Sequence, residues 1–497
     1  MAIAALKVGK ASGFDEITNE ILKSTWFTEA LYVLFDYCFE NGIIPSVWYK
    51  SIVSPIPKSP QNDPRIPLNY RGISLLRTVY KVYTSILNSR LTNYLEENNR
   101  LVEEQNGFRK SRACIDHVFA ITTVVNNRIL QNKSSFACYI DFQKAFDFVN
   151  RDLLAYRLLE EGIYGKFYWA IQSLYKAPQA CVRVNEYCSG WFPTPSGVKQ
   201  GDCLSPTLFA IFINNLAKEI KQLGLGLNYD GSNKLDILMY ADDIIVLGDN
   251  EYDLQKMLMC IENWCKKWKL TVNHSKTQIM HFRQPRVKRS DFQFYLGEQK
   301  LQYVENYKYL GLNLDEHLHF EYGTSVLAGS AGRALGGIIA KTKQLGDLGY
   351  AAYSKLFHTC VCPVMDYMAG IWGSNTNMKG QMVQNRAIRY FLGVHKFAPV
   401  LAITGDMGWE PCEVRWTGSM VALWNRLIRM PENRVAKKIF NWDVSIKGAG
   451  ASAMEDTFLR TGLLDSFQNC RIVNISMVKE LLYSIYQNKI MVPGRIA

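Results

Sequence analysis

Apolar and polar positions change period along this chain, and the changes mark out its elements. Leu235 to Met239 and Ile244 to Leu247 are short apolar runs separated by Tyr240-Ala241-Asp242-Asp243. Runs of that length read as two strands with the acidic pair at the turn between them. Helical periodicity predicts helices over Phe14 to Asn41, ended by Asn41-Gly42, and over Leu75 to Leu95, Ala113 to Leu130 and Arg151 to Leu159. Further helices are predicted over Leu204 to Leu223 and, amphipathically, Glu251 to Trp268. Ser205-Pro206 suits an N-cap followed by the first helical position. Strands are predicted over Phe136 to Phe142 and around Gln278 to Phe282, Phe292 to Leu296 and Tyr307 to Asn313, with a hairpin from Cys181 to Val184 and Gly190 to Phe192. The proline-rich VSPIPKSPQNDPRIP reads as loop or extended edge, because proline cannot donate to a ladder. From about Phe320 the pattern is mainly helical. Mixed α and β first, and helices later, predict an α+β catalytic core with a helical appendage.

Composition narrows the class. The 497 residues are 48% hydrophobic and 21% charged, the balance of a globular protein with a large core. That length allows about three domains. No repeat or low-complexity tract is visible. A net charge of +12 is compatible with a polyanionic partner, and 12% aromatic residues supply either stacking surfaces or core. Twelve scattered cysteines form no regular framework and no paired CxxC motifs, which argues for a reducing compartment and against structural zinc. The start, MAIAALKVGKAS, is too quickly polar for a signal peptide, and no run of about 18 apolar residues predicts a membrane span.

The candidate chemistry lies in carboxylates. Two adjacent acids between apolar strands are costly to bury without a partner, and a divalent cation is the usual one. A third, Asp141, closes the apolar stretch Cys138-Tyr139-Ile140. Two-metal phosphoryl transfer needs carboxylates on neighbouring strands that clamp ions about 4 Å apart. Asp141, Asp242 and Asp243 are the residues for such a clamp, and magnesium suits oxygen ligands with retained waters. On these residues alone, a strand-end cap and an ordinary hairpin turn remain the alternative.

The motifs around them carry a resemblance. GKASGFDEI, NYRGISLL, EEQNGFRKSRACIDHV, YIDFQKAFDFVN, PSGVKQGDCLSPTLF, YADD, VNHSKT and YKYLGLNL follow one another between about residues 7 and 314. In this order they resemble the reverse transcriptase of non-LTR (LINE-type) retrotransposons. LFHTCVCPVMDYMAGIWG and NRAIRYFLGVHKFAP resemble the region after the polymerase in such elements. The resemblance implies a right-hand polymerase fold of fingers, palm and thumb, with an α-helical C-terminal extension. The expected division is 1–47 for an N-terminal helical part of the fingers, 48–315 for fingers and palm, 316–425 for a thumb-like helical region and 426–497 for the C-terminal extension. A group II intron maturase, which also carries YADD, fits NYRGISLL, SGVKQGDCLSP and the helical tail less well.

Residue roles follow from the same resemblance. Asp141, Asp242 and Asp243 are the expected metal-binding triad, for two Mg2+ ions with Mn2+ as a substitute. Phe146 matches the aromatic gate that would meet the sugar C2′ and disfavour ribonucleotides; a further core phenylalanine is the alternative. Arg71 and Lys58 resemble triphosphate contacts, for which a guanidinium fork is well shaped; a solvated loop lysine is the alternative for Lys58. Gln200-Gly201 resemble the loop beside the incoming base, with Asn214 on the following helix approaching the same pocket or simply facing solvent. Lys276 matches a lysine that protonates pyrophosphate. Tyr309-Leu310-Gly311 resemble the primer grip. Arg109, Lys110 and Arg112 are candidate template-phosphate contacts or a solvated basic face. The cluster from Arg283 to Arg289 reads as a solvated loop, a nuclear-entry signal or a nucleic-acid contact.

The implied partners are template RNA, a DNA primer or target, and dNTPs, with no membrane. The location implied by that role is nucleus and cytoplasm. Relatives carry an endonuclease ahead of the polymerase, and this chain opens just before GKASGFDEI. An N-terminally truncated polymerase without that nuclease is therefore expected, with a catalytically inactive RNA-binding remnant as the alternative.

Overall fold

The computed structural model describes residues 2–9, 15–59, 62–346, 348–374 and 378–491. Residues 10–14 of GKASGFDEI, and the last residues of the expected C-terminal extension, lie outside them. At the centre is a five-stranded sheet in the order Gln302–Tyr303, Gln278–Phe282, Ser135–Ile140, Asp243–Gly248 and Ile237–Tyr240. Ser135–Ile140 is buried along its whole length and pairs antiparallel with both neighbours. Its alternating side chains go to two different cores. Phe136, Cys138 and Ile140 join one, together with Ile244 and Val246. Ala137 and Tyr139 join the other, together with Ile245 and Leu247. Side-chain alternation along a strand is the reason one sheet can serve both layers.

The first core holds the helices Thr78–Glu97, Ser205–Gln222 and Glu251–Trp268 against the sheet. Glu251–Trp268 is as the periodicity predicts, and Asn250 caps it by accepting from the Asp253 N–H. Ser205–Gln222 differs by one position: Leu204 is the N-cap, Ser205 is already helical, and Leu204 offers no side-chain cap. The predicted helix from Phe14 is shorter and broken, as Asn19–Leu22 and Thr25–Asn41, with Gly42 closing the second at φ +61°.

The second core joins Cys114–Leu130 to the helices that follow Phe320, through Trp372, Trp416, Trp424 and Phe440 among others. The helical half is thus no appendage. It closes the back face of the sheet and shares one continuous core with it.

A second sheet faces the first. Lys50–Pro57 pairs antiparallel with Tyr70–Leu75 and parallel with Gln179–Val184. The strand is interior only up to Val53; from Ser54 to Pro57 the proline-rich segment is extended with one neighbour, the edge that its prolines predict. The parallel ladder covers only Lys50 to Val53, so Pro55 and Pro57 fall where the strand has a single neighbour and no second ladder needs their missing N–H. Among the described residues no helix is long and apolar enough to cross a membrane.

Candidate active site

The acidic pair sits on a tight turn. Tyr240 pairs with Asp243, leaving Ala241 and Asp242 as the two turn residues, with Ala241 at φ +58°. The neighbouring ladder pairs Ile244 with Ile140. One more step in that register sets Asp141 opposite Asp243. The backbone positions of Asp141, Asp242 and Asp243 therefore fall at one end of two adjacent strands.

Their surroundings oppose charge. Asp242 and Asp243 touch solvent, yet burial pushes both carboxyls up, Asp243 to about 6. Repulsion adds to this, from Asp242 and Asp141 on Asp243 and from Asp141 on Asp242, while Arg71 acts in the opposite direction on both. Neither has an ion-pair partner among the described residues. Asp141 is already engaged: its Oδ2 accepts from Asn273 Nδ2 at 2.9 Å and lies 3.8 Å from Lys276 Nζ. Uncompensated hard oxygen donors are the right chemistry for a divalent cation. Among the described residues no three acidic, histidine or cysteine side chains converge tightly around one point.

A cleft of about 1560 Å³ opens between the two sheets in front of these acids. Asp141 and Asp242, though not Asp243, line it with Lys58, Arg71, Phe146, Gln200, Gly201 and Lys276, six residues expected at the nucleotide. Arg71 and Lys58 are exposed on the second sheet and its end. Phe146 stacks on Phe209, with centroids 4.7 Å apart, and meets the edge of Phe108. Gly201 adopts φ +105°, and a Cβ there would come within 2.9 Å of the Ser74 carbonyl oxygen. Gln200 is held at both ends: its carbonyl accepts from Ser74 N–H at 2.8 Å, and its Nε2 donates to Asp147 Oδ1 at 3.1 Å.

Other expected contacts go elsewhere. Arg109 is buried and forks onto Glu96 with two bonds of 2.7 Å, while also donating to the Val102 and Gln105 carbonyls. Arg112 donates to Glu103 and Asn106. Both guanidiniums are consumed inside the protein, so neither offers a free fork to a template phosphate; Lys110 alone of the three is exposed. Tyr309 is also buried, 3.4 Å from His117 Nδ1, and does not reach a surface. Leu310 and Gly311 form the hairpin tip at φ +45° and +92°, closed by Tyr367, whose hydroxyl donates to the Leu310 carbonyl at 2.8 Å. The three lie outside the cleft lining. Asn214 is neither a pocket residue nor a surface one: fully buried, it bonds Val102 N–H and the Arg100 carbonyl. Arg283 and Arg289 are drawn onto Glu316, so the basic cluster is partly internal.

Sequence reading passed over several groups at the site. Asn273 and Asp147 orient Asp141 and Gln200, and both stand inside motifs already singled out. Lys199 lines the cleft but is buried over the Tyr80 ring, and desolvation lowers its ammonium to about 8. No hydrophobic pattern marks such residues.

Residues 56–314, just over half of the chain, match the family described as reverse transcriptase (RNA-dependent DNA polymerase). A probable RNA-directed DNA polymerase from transposon BS of Drosophila melanogaster is 27% identical over 403 residues, 78% of this chain and 43% of that protein. The RNA-directed DNA polymerase from mobile element jockey of the same organism is 24% identical over 333 residues, 64% of this chain and 35% of that protein. The chain thus spans less than half the length of these relatives. Among solved structures, apo telomerase from Candida tropicalis aligns with 84% of this chain and 74% of its own, at 12% identity and a TM-score of 0.43.

Proposed function

The chain belongs to the reverse transcriptase (RNA-dependent DNA polymerase) family, and we propose that it joins dNTPs to a primer 3′ end on an RNA template, as the polymerase part of a LINE-type element. The observation that carries this reading is the register that sets Asp141 opposite Asp243, next to Asp242, with Asp141 and Asp242 lining the same cleft as Arg71 and Lys58.

Asp141, Asp242 and Asp243 would hold Mg2+ (two ions, with Mn2+ as a substitute), which when bound activates the primer hydroxyl and steadies the leaving pyrophosphate. The protein's own groups do the rest. Arg71 and Lys58 bind and orient the triphosphate from the opposite sheet. The Lys276 ammonium, close to Asp141, holds a proton at Nζ for the leaving group. Gln200, pinned by Asp147 and Ser74, lies beside the base. Phe146, backed by Phe209, presents its ring where a 2′-hydroxyl would sit, so deoxynucleotides are favoured. Of Arg109, Lys110 and Arg112, the exposed Lys110 is the one that would meet template phosphate. Template RNA and a DNA primer or target are the partners this assigns.

Primer extension on an RNA template by the purified chain tests the reading. Wild type is expected to extend, and an Asp242→Ala/Asp243→Ala double variant to lose at least about a thousandfold of that rate, because removing a group made for the transition state falls directly on kcat. Equal extension by the two would sink the polymerase reading. Salt-sensitive RNA binding by a wild type that makes no DNA would select the inactive remnant instead.

A further inference from the structure

We infer that Gln105 is a positioning residue for the YADD turn, seating it through the Ala241 amide; the inference rests on the polymerase reading for its catalytic consequence. Ala241 is 5% exposed and holds a left-handed backbone without being glycine. That conformation is unfavourable for a non-glycine residue, so its surroundings must impose it. Its N–H points into the protein and needs an acceptor there. Gln105, fully buried, supplies it: Oε1 accepts from Ala241 N–H at 3.1 Å and from Gly107 N–H at 2.8 Å.

Two donors converging on one end of the amide require the oxygen there. The consequence is on the other end, where Nε2 is buried with no hydrogen-bond partner among the described residues. An orphaned buried donor is a cost that a methionine of the same length would avoid. The side chain carries that cost while its oxygen serves the turn.

The backbone around Gln105 is fitted to the same purpose. Met239 N–H donates to the Glu104 carbonyl and Asn106 N–H to the Met239 carbonyl, each at 2.9 Å, so this segment bridges to the Ile237–Tyr240 edge. Gly107 presses on the turn itself, where a Cβ would stand 2.2 Å from Ala241 N. Behind it, Arg109 donates to the Gln105 carbonyl at 3.0 Å and forks onto Glu96. Farther along the same loop, Arg426 of the C-terminal helices grips Asp116 with bonds of 2.7 and 2.8 Å, and both Arg426 and Arg434 donate to the Ser111 carbonyl at 3.1 Å. The basic motif expected to touch template is thereby a strut, anchored at Glu96 and Asp116 and ending on the catalytic turn.

Gln105→Met, which keeps the length and removes the acceptor, is compared with Gln105→Glu, which keeps the acceptor. Three measurements on the full chain are made: hydrogen exchange of the segment holding the Ala241 amide, binding of Mn2+ alone, and steady-state extension. For Gln105→Met, exchange is expected to rise about tenfold and Mn2+ affinity to fall about tenfold. The value of kcat is expected to fall about a hundredfold with the KM for dNTP within about twofold, the signature of a misplaced catalytic group. Gln105→Glu should stay within about threefold of wild type in exchange. Unchanged exchange and Mn2+ affinity in Gln105→Met would overturn the assignment. Equal losses in the two variants would overturn it as well, since they would trace to packing rather than to the acceptor. A wild-type chain that makes no DNA would remove the polymerase reading, while exchange and Mn2+ binding would still decide the role of Gln105.

Discussion

Phe146 shows how a single side chain acquires a role from what stands behind it. Its ring lies against Phe209, at an interplanar angle of 20°, and abuts Phe108, so the proposed gate is backed on two sides. Phe146→Ala is expected to lower the preference for dNTP over rNTP by about tenfold or more, read as the ratio of kcat/KM values, because an apolar wall rejects an added hydroxyl only to a limited degree. An unchanged ratio would remove Phe146 from the gate. At this scale the carboxylates were legible as candidates, because the ordered motifs around them outweighed the reading of an ordinary turn. Arg109 and Arg112 were not. A basic residue in a motif looks the same on paper whether it awaits a phosphate or is satisfied by Glu96 and Glu103.

At the scale of elements, the cleft depends on close backbone approaches. Gly201 lets the SGVKQGD loop lie against Tyr70–Leu75, and that contact is what holds Gln200 at the second sheet. Gly201→Ala meets both an unfavourable φ and the Ser74 carbonyl. It is expected to cost about 1–3 kcal/mol in denaturant unfolding and to raise the KM for dNTP by about tenfold through a displaced Gln200. Wild-type values for both would show that the loop accommodates a methyl group. The long helices and the YADD hairpin were readable because their periodicity is strong. The strand Lys50–Pro57 was legible only as loop or extended edge, because its prolines forbid only half the pairings, and which half is free is a fact about its neighbours. The bridging segment at Glu104 to Asn106 carries no alternation at all; it exists through two backbone hydrogen bonds with Met239.

For the whole molecule, the sheet divides two cores, and His117 lies deep in the second, beside Tyr309 and edge-on to Tyr240. Burial drives its imidazole down to about 3, with Arg112 and Arg434 pushing the same way and Asp116 opposing. The folded protein therefore keeps it neutral where the unfolded chain, with an ordinary value near 6.5, takes up a proton. Between those values the unfolded state binds more protons, so stability falls as pH falls, by up to about 1.4 kcal/mol per unit. From pH 7 to pH 5, wild type is expected to lose about 2 kcal/mol more than His117→Phe, measured by urea unfolding at each pH. Parallel losses would show that His117 does not govern the acid limb.

The sequence by itself determined the helices and strands of strong period, the candidate carboxylates Asp141, Asp242 and Asp243, and, through its ordered motifs, the family. Those depend on local pattern and on residue types that few environments tolerate. The tertiary structure decided the partnerships: which arginines are spent on internal carboxylates, how far the proline strand has a second neighbour, and which glutamine holds the YADD turn. Each is a contact between segments far apart in the chain. The energy of a hydrogen bond or ion pair is set by whether a partner arrives, which no spacing along the sequence records.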